Sequence, residues 1–185
     1  MSEPQTFKNQ FLIALKSLSG DYFEHSITLL VDHNQNGAFG LMINRPLEQD
    51  IHAVFPDIPE DIQCPLFEGG PVEQDKLFFL HKSDHVFEST FAVSPDISLT
   101  TSRDLIDSLH RGETPVPLLA ILGYAGWGAE QLERELGENS WLLAPASPAI
   151  VFDTDVPHRA ARAAAQLGVD LNLIATRLEC VPVAL

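Results

Sequence analysis

The sequence predicts an α+β (mixed α/β) fold, in which hairpins and helices are interleaved along one chain. Three observations predict this class: short apolar runs flank turn residues in the first half, two later segments have helical periodicity, and no internal repeat is visible. The 185 residues suffice for one good hydrophobic core and fall below the size at which cores usually divide. We therefore expect one compact domain over residues 1–185, and not a doubly wound sheet.

The first segments predict a β-hairpin. Apolar runs at Phe11–Leu15, Ile27–Val31 and Phe39–Ile43 are typical of strands, and Asn36-Gly37 supplies positive φ for the turn between the last two. A short helix is expected around Leu47–Phe55.

A second antiparallel unit is predicted next. Strands are expected at Leu66–Glu68, Leu77–His81 and Val86–Val93, and Gly69-Gly70-Pro71 predicts the turn between the first two.

A helix is predicted at Ser102–Arg111. Thr101 and Asp104 form a capping pattern before its apolar face, and Gly112 stands where a glycine often follows the last helical turn.

The remaining segments predict a buried strand, a glycine-rich turn, a helix, two strands and a final helix. The buried strand is expected at Val116–Leu122, the turn at Gly123–Gly128 and the helix at Gly128–Leu136. The two strands are expected at Ser140–Leu143 and Ala149–Phe152, and the final helix is capped by Thr154 or Asp155 and ends near Gly168.

The charge of the chain limits its partners. The formal net charge is −15, from 26 acidic and 11 basic residues, and the basic residues are spread along the sequence. Such a protein repels phosphate backbones and anionic membranes at long range, so direct nucleic-acid binding is disfavoured. No targeting segment or membrane helix is visible, and Cys64 and Cys180 predict reduced thiols, so we expect a cytoplasmic protein.

The segment Gly123–Gly128 is the first candidate site. A strand, a glycine-rich turn and a helix can present free N–H groups to an anion, with Tyr124, Gly126, Trp127 and Glu130 beside it. The spacing differs from the dinucleotide fingerprint, and acidic residues follow in the first helical turn. The structural interpretation, in which the glycines allow close packing and the aromatic rings fill the core or a cleft, is favoured.

The second candidate combines Asn44 and Arg45 with Gly69 and Gly70. Arg45 has the geometry to bind a carboxylate or phosphate, with the glycine N–H groups nearby if the two hairpins pack together. The alternative is an arginine that ties two turns to buried carbonyl groups.

Other patterns are weaker. His81 and His85 have a spacing that binds zinc on a helix, but their apolar flanks predict a turn between strands, and no metal or cofactor is expected. The other histidines are expected to be surface or capping residues: His25, His33, His52, His110 and His158. Glu68, Asp75 or Glu130 with His81 have no fixed spacing for acid–base catalysis, so the catalytic residues stay unknown.

Several segments resemble signature segments of the AlgH/YqgE family of largely uncharacterised bacterial proteins. They are Asn9–Ala14, Gly37–Pro46, Gly69–Val72, Leu80-His81, Leu122–Gly128 and Asn139–Leu142. The resemblance runs from about Phe7 to Leu171; residues 1–6 are expected to be disordered, and residues 172–185 form a divergent apolar tail. The resemblance to this family implies a mixed sheet with a partly barrel-like portion, surrounded by helices. The family's name implies a link to alginate regulation, and members are sometimes labelled transcriptional regulators.

Three functions remain open at this point. The favoured one is a non-catalytic regulatory protein that binds a protein partner or small ligand at an aromatic-glycine cleft around Tyr124 and Trp127. The alternatives are a hydrolase with acidic and histidine residues in a cleft, and a regulator linked to nucleic acid. The sequence does not predict the oligomeric state.

Overall fold

A curled mixed sheet forms the centre of the computed structural model, which describes residues 5–174. Within that range it has ten strands: β1 Gln10–Ala14, β2 Ile27–Asn34, β3 Gly37–Met42, β4 Pro46–Asp50, β5 Pro65–Glu68, β6 Val72–Lys82, β7 Thr90–Ala92, β8 Ile97–Thr100, β9 Leu118–Gly128 and β10 Trp141–Pro145. Of the segment predicted to be disordered, residues 1–6, the structure describes only residues 5 and 6, and of the predicted divergent tail, residues 172–185, it describes only residues 172–174; the rest of both predictions lies outside the described residues.

The strand order is β10-β1-β2-β3-β9-β6-β8-β7, and every neighbouring pair on this path is antiparallel. Strand β5 adds the parallel component, because it runs parallel to β9 and antiparallel to β4. The sheet curls into a half-barrel. The predicted α+β class with a partly barrel-like sheet is therefore confirmed.

Short helices cover the sheet. Four α-helices lie wholly within the described residues, α1 Arg103–His110, α2 Gln131–Gly137, α3 Pro148–Phe152 and α4 Arg159–Ala165, and residues 171–174 are also helical. Single 3-10 turns lie at Lys16–Leu18, Ile51–Ala53 and Val156–His158. Helix α1 confirms the predicted helix, although its N-cap is Ser102 and not Thr101. Gly112 follows it with a φ of +78°, as expected after the last turn.

Side-chain alternation divides the core between the two faces of the sheet. In β1, Phe11 and Ile13 join the cluster inside the curl, where α3 and α4 pack, whereas Leu12 joins a cluster outside it with Leu132 of α2. A further outer cluster lies under α1 and includes Leu105. The sheet is therefore apolar on both faces.

The predicted hairpin of β2 and β3 is confirmed, with Gln35 and Asn36 at its tip. The positive φ occurs at Gly37, at +135°, and not at Asn36. A Cβ atom at Gly37 would lie 2.1 Å from the carbonyl oxygen of Trp127 in β9. Glycine is needed there because the hairpin tip packs directly against the neighbouring backbone.

The predicted glycine-rich turn at Gly123–Gly128 is wrong, since these residues are the second half of β9. They continue the ladder, with Gly126 opposite Phe39 and Gly128 opposite Gly37 of β3. The glycines provide space for close packing within a strand instead of a turn.

Four other predictions of local structure are wrong. Residues 46–50 form the edge strand β4, with Pro46 first, where a strand tolerates proline, and not the helix predicted at Leu47–Phe55. The strand predicted at Val86–Val93 is reduced to β7. The run Ala149–Phe152 lies in α3, whose first turn contains Pro148. Finally, β5 and β6 do not pair, because β9 lies between them.

Candidate functional site

Two adjoining cavities lie at the tip of the β2–β3 hairpin. The larger, of about 400 Å³, lies between the hairpin, the N-terminal segment and α2, and is lined by Gln5, Thr6, His33, Asn34, Gln35, Asn36 and Glu133. The smaller, of about 220 Å³, is lined by Asp32, Asn34, Asn36, Gly37, Ala38, Phe39 and Trp127. Asn34 and Asn36 line both cavities, which we call together the hairpin cleft.

His33 is the buried polar residue of the larger cavity, with only 6% of its surface exposed. Its ring stacks on Phe7 with centroids 4.8 Å apart, and the Phe7 backbone N–H donates to Nδ1 at 2.9 Å. Because Nδ1 accepts this bond, the ring proton is on Nε2, which donates to Glu133 Oε1 at 2.5 Å. These bonds fix a neutral imidazole with both nitrogens occupied.

Glu133 supplies the negative charge of the larger cavity. It lies in the first turn of α2, and 42% of its side chain is exposed. A hydrogen bond from its own backbone N–H, together with the bond from His33, holds the pKa of this carboxyl below its usual range despite some desolvation. The group is therefore a carboxylate at neutral pH, and the pair carries a net charge of −1.

A second carboxylate fixes α2 to the sheet. Glu135 Oε2 accepts from the indole nitrogens of Trp127 at 2.8 Å and Trp141 at 2.9 Å, and Oε1 accepts from the Gln131 amide at 3.1 Å. The two indoles contact each other and Phe23, with ring centroids 5.4 to 6.2 Å apart. This arrangement holds Glu133, two residues earlier on α2, in a constant position relative to the hairpin.

The smaller cavity combines a carboxylate with an aromatic residue. Asp32 is half-buried, and its Oδ1 accepts from the His33 backbone N–H at 2.9 Å. Phe39 lies opposite Asp32 in the ladder, and its ring contacts Tyr124 and Phe78, with centroids 4.7 and 5.4 Å away. The smaller cavity therefore adjoins a cluster of aromatic rings.

Tyr124, Gly126, Trp127 and Glu130, which the sequence analysis groups together, lie on different sides of β9. Tyr124 is half-buried on the inner face and Trp127 is buried on the outer face, whereas Gly126 is exposed. Glu130 is the exposed N-cap of α2, with a φ of +64°. Of these four residues, only Trp127 lines the hairpin cleft.

Arg45 and Asn44 lie away from the cleft and bind backbone carbonyl groups. Arg45 Nη2 donates to the carbonyl oxygens of Tyr22 and of Glu24, and the guanidinium lies 4.9 Å from the Tyr22 ring centroid. Asn44 donates to the His25 carbonyl and accepts from the Ile27 N–H. These contacts match the interpretation in which Arg45 ties turns together.

Tyr22 links this cluster to β5. Its hydroxyl donates to Glu68 Oε1 at 2.7 Å. Burial, and then the bond and charge of Glu68, raise the pKa of Tyr22 to about 12. The phenol therefore stays protonated over the physiological range.

Gly69 and Gly70 pack against β9. The Gly69 N–H donates to the Leu122 carbonyl at 2.7 Å, so it is not available to a ligand. A Cβ atom at Gly70 would lie 2.1 Å from the backbone of Tyr124. The two glycines thus allow β9 to pass close to the chain between β5 and β6.

His81 and His85 do not converge. His81 is fully buried; its Nδ1–H donates to the Lys82 carbonyl, and its Nε2 accepts from the Thr100 hydroxyl at 2.7 Å. His85 is exposed beside Asp84. Burial lowers the pKa of His81, and Thr100 is itself fully buried, so this hydroxyl–imidazole pair is inaccessible to a substrate.

Between residues 5 and 174, no group of three or more His, Cys, Asp or Glu side chains is arranged to hold a metal ion. No helix in the same range is long and apolar enough to cross a membrane.

Four residues that line the hairpin cleft are not predicted from the sequence as site residues: Asp32, His33, Phe39 and Glu133. The expectation that His33 is a surface or capping residue is wrong, because the N-terminal segment and α2 cover its side chain. The available signal was the row of polar residues Asp32–Asn36 at the hairpin tip, which is also typical of an ordinary solvated turn.

The fold and the cleft define the class: an α+β protein with a curled mixed sheet, short covering helices and a polar cleft at one hairpin tip. The AlgH-like family model matches residues 11–172 of the chain. A UPF0301 protein of Nitrosococcus oceani is 43% identical over 172 residues, which cover 90% of this chain and 92% of that one. A UPF0301 protein of Pseudomonas entomophila is 40% identical over 181 residues, covering 94% and 95% of the two chains.

Solved structures agree with these relationships. The solution structure of the AlgH protein from Pseudomonas aeruginosa superposes with a TM-score of 0.76 at 39% identity, over 95% of this chain and 96% of that chain. A crystal structure of a Corynebacterium diphtheriae protein gives a TM-score of 0.72 at 19% identity over 94% of each chain, which supports the fold alone. The chain belongs to the AlgH-like family of bacterial proteins.

Proposed function

We propose that this protein is a non-catalytic, cytoplasmic regulatory protein that binds a small polar ligand in the hairpin cleft. The observation that supports this most directly is the His33–Glu133 pair, in which a buried neutral imidazole holds a charged carboxylate in the wall of the larger cavity. That cavity, at about 400 Å³, is within the usual range of small-molecule sites.

The bonding of His33 favours binding over catalysis. A general base needs a nitrogen within hydrogen-bond reach of the proton it removes. Both ring nitrogens of His33 are occupied, Nδ1 by the Phe7 N–H and Nε2 by Glu133. The imidazole therefore acts as a fixed support for Glu133.

The lining suits a polar ligand. Four carboxamide side chains and one hydroxyl surround the larger cavity: Gln5, Asn34, Gln35, Asn36 and Thr6. Each carboxamide offers both donors and an acceptor, so the cavity can bind polar groups in several orientations. A bound ligand would contact both the hairpin and α2. Because Glu135 of α2 binds Trp127 of β9 and Trp141 of β10, ligand binding would also affect these two strands, and a protein partner that contacts them would respond to the ligand.

A thermal-unfolding screen tests the proposal. The panel contains cationic, neutral and anionic metabolites, and a ligand that binds only the native state at about 100 times its Kd adds about 2.7 kcal/mol to stability. Asn36→Trp fills the shared wall of both cavities, and Gln49→Trp on the exposed strand β4 is the matched control. We expect a shift in the wild type and in Gln49→Trp that Asn36→Trp loses. Equal shifts in all three proteins, or none with any compound, would contradict the proposal.

A further inference from the structure

The residues that precede β1 are bound to the rest of the protein through His33. Residues 5–8, which we call the N-terminal strap, belong to no strand or helix. Within the described chain, the hydrogen bonds from the strap to other segments all end on this histidine. The Thr6 hydroxyl donates to the His33 carbonyl oxygen at 3.0 Å, and the Phe7 backbone N–H donates to Nδ1 at 2.9 Å.

The N-terminal strap forms part of the wall of the larger cavity. Gln5 and Thr6 line this cavity together with the hairpin tip and Glu133. Phe7 stacks on the imidazole ring, with centroids 4.8 Å apart, and packs against the outer cluster that includes Leu12. A change that breaks the bond to His33 therefore also changes the wall of the cavity.

The bond between Phe7 and His33 requires a neutral imidazole. Nδ1 accepts the Phe7 N–H only while it carries no proton of its own. When the ring takes up a proton from water, that proton is added at Nδ1, because Nε2 already carries the hydrogen that it donates to Glu133. Two N–H donors would then face each other across 2.9 Å, so an imidazolium and the bound strap are incompatible.

The charge nearest to the His33 ring favours the protonated form. Glu133 of α2 accepts from Nε2 at 2.5 Å, and the lowered pKa of this carboxyl keeps it ionised in mildly acidic solution, so protonation of the ring creates an ion pair. On β2, Asp32 accepts from the His33 backbone N–H, and β3 has no titratable side chain. Lys8, the cation of the strap, lies over the Phe91 ring, 4.4 Å from its centroid. Imidazole ordinarily changes its charge between pH 5 and 8.

We propose that the N-terminal strap is an acid-sensitive wall of the larger cavity, bound while His33 is neutral and released when Nδ1 is protonated. Release lets the Phe7 N–H bond to water and withdraws Gln5 and Thr6 from the cavity. The next amide along the chain that bonds to β2, Asn9 N–H to the Leu30 carbonyl at 2.9 Å, does not involve the imidazole and should persist. The effect of release on ligand binding rests on the proposed function, whereas release itself is measured without a ligand.

Solution NMR of the full-length protein between pH 8 and 5, with no compound added, tests the inference. At pH 8 a scalar coupling across the hydrogen bond should join the Phe7 amide nitrogen to His33 Nδ1, and it should vanish as Nδ1 is protonated. The protection of the Phe7 amide against hydrogen exchange, corrected for the intrinsic rate at each pH, should fall roughly tenfold, while that of Asn9 stays unchanged. A Phe7 amide that keeps its coupling and protection at pH 5, or equal losses at Phe7 and Asn9, would overturn the inference.

Two variants distinguish protonation of His33 from other effects of acid. His33→Asn supplies an amide oxygen near the position of Nδ1, which accepts at any pH, so its Phe7 protection should not depend on pH. Glu133→Gln removes the carboxylate that stabilises the imidazolium, so the Phe7 transition should move to lower pH. Its amide oxygen still accepts from Nε2–H, which should preserve the fold.

Glu138→Gln is the matched control, because it removes one exposed charge at the other end of α2 and should shift the Phe7 transition less than Glu133→Gln does. An unchanged transition in His33→Asn or in Glu133→Gln would overturn the inference. If the strap is released on protonation but no compound of the unfolding screen binds, the strap inference stands and the proposed function fails. If a compound binds, Asn36→Trp blocks it and the Phe7 bond persists at pH 5, only the strap inference fails.

Discussion

Replacing Glu135 with leucine removes the acceptor that two buried indoles share. Trp127 is 6% and Trp141 4% exposed, and both donate to the same carboxylate oxygen, at 2.8 and 2.9 Å. A buried donor left without a partner costs about 1–3 kcal/mol. Glu135 is itself half-buried, so water reaches part of the site, and we expect Glu135→Leu to lower the free energy of unfolding by about 3 kcal/mol.

Glu135→Gln provides the matched comparison. The amide oxygen can still accept from both indoles, and the loss of charge assistance should cost about 1 kcal/mol. Glu138→Leu, at an exposed position after the end of α2, should change stability by less than about 0.5 kcal/mol. Urea unfolding followed by tryptophan fluorescence measures all three variants.

A double-mutant cycle isolates the indole bond. Trp141→Phe removes one donor, so its cost should be smaller by about 0.5 kcal/mol or more in the Glu135→Leu background than in the wild type. The reasoning would be refuted if Glu135→Leu were as stable as the wild type, or no less stable than Glu135→Gln.

Three further predictions concern glycine packing and buried titratable groups. Gly70→Ala should lower the free energy of unfolding, measured in urea, by more than about 3 kcal/mol, because the new Cβ would lie 2.1 Å from neighbouring backbone. Gly137→Ala is the control: this position lies in open space at the end of α2, so the substitution should leave the free energy of unfolding unchanged or raise it by up to about 1 kcal/mol. Burial lowers the pKa of His81 from its usual 6.5, so as the pH falls the unfolded chain takes up a proton on this imidazole before the folded protein does. The free energy of unfolding should therefore fall as the pH drops from about 7 to 5, and it should fall less steeply in the His81→Gln variant. Burial raises the pKa of Cys64 to about 12, so in a Cys180→Ser variant its reaction with a thiol reagent should proceed only as fast as the protein opens.

Each of these has a clear contrary result. Equal urea midpoints for the two glycine variants would show that the strands can separate without cost. Parallel stability–pH curves with and without the histidine would show that its burial is not linked to protonation. Immediate modification of the thiol in the native protein would show that the cluster under α1 is open to solvent.

Local patterns with strong spacing could be predicted from the sequence. The hairpin at Ile27–Met42 and helix α1 have alternation, turn residues and capping signals that agree with their tertiary contacts. The resemblance of the glycine and aromatic segments to AlgH-like proteins supplied the barrel-like sheet, which alternation alone does not predict.

The errors occur where tertiary packing overrides local preference. Gly123–Gly128 has the composition of a turn, but the close approach of β3 and of the Gly69-Gly70 backbone makes small residues necessary within a strand. Ala149–Phe152 is a short apolar run, and such runs do not distinguish a buried strand from a buried helix.

The site could be predicted only in part. Trp127 is predicted from its unusual neighbours to bind a ligand; it lines the smaller cavity, and its role in binding stays a prediction. The pairing of His33 with Glu133 joins residues 100 positions apart, and neither has a local motif that announces it. Their bond exists because β3 and β9 pair and carry α2 to the hairpin tip, which is a property of the topology.

Backbone-amide NMR during titration with the compound that gives the largest shift in the thermal-unfolding screen is the most direct test of the hairpin cleft as a ligand site. Saturable shifts should concentrate at Thr6, His33–Asn36 and Glu133, should be lost in Asn36→Trp, and should be small around Arg45. Shifts that spread evenly over the surface, or that persist unchanged in Asn36→Trp, would contradict ligand binding in this cleft.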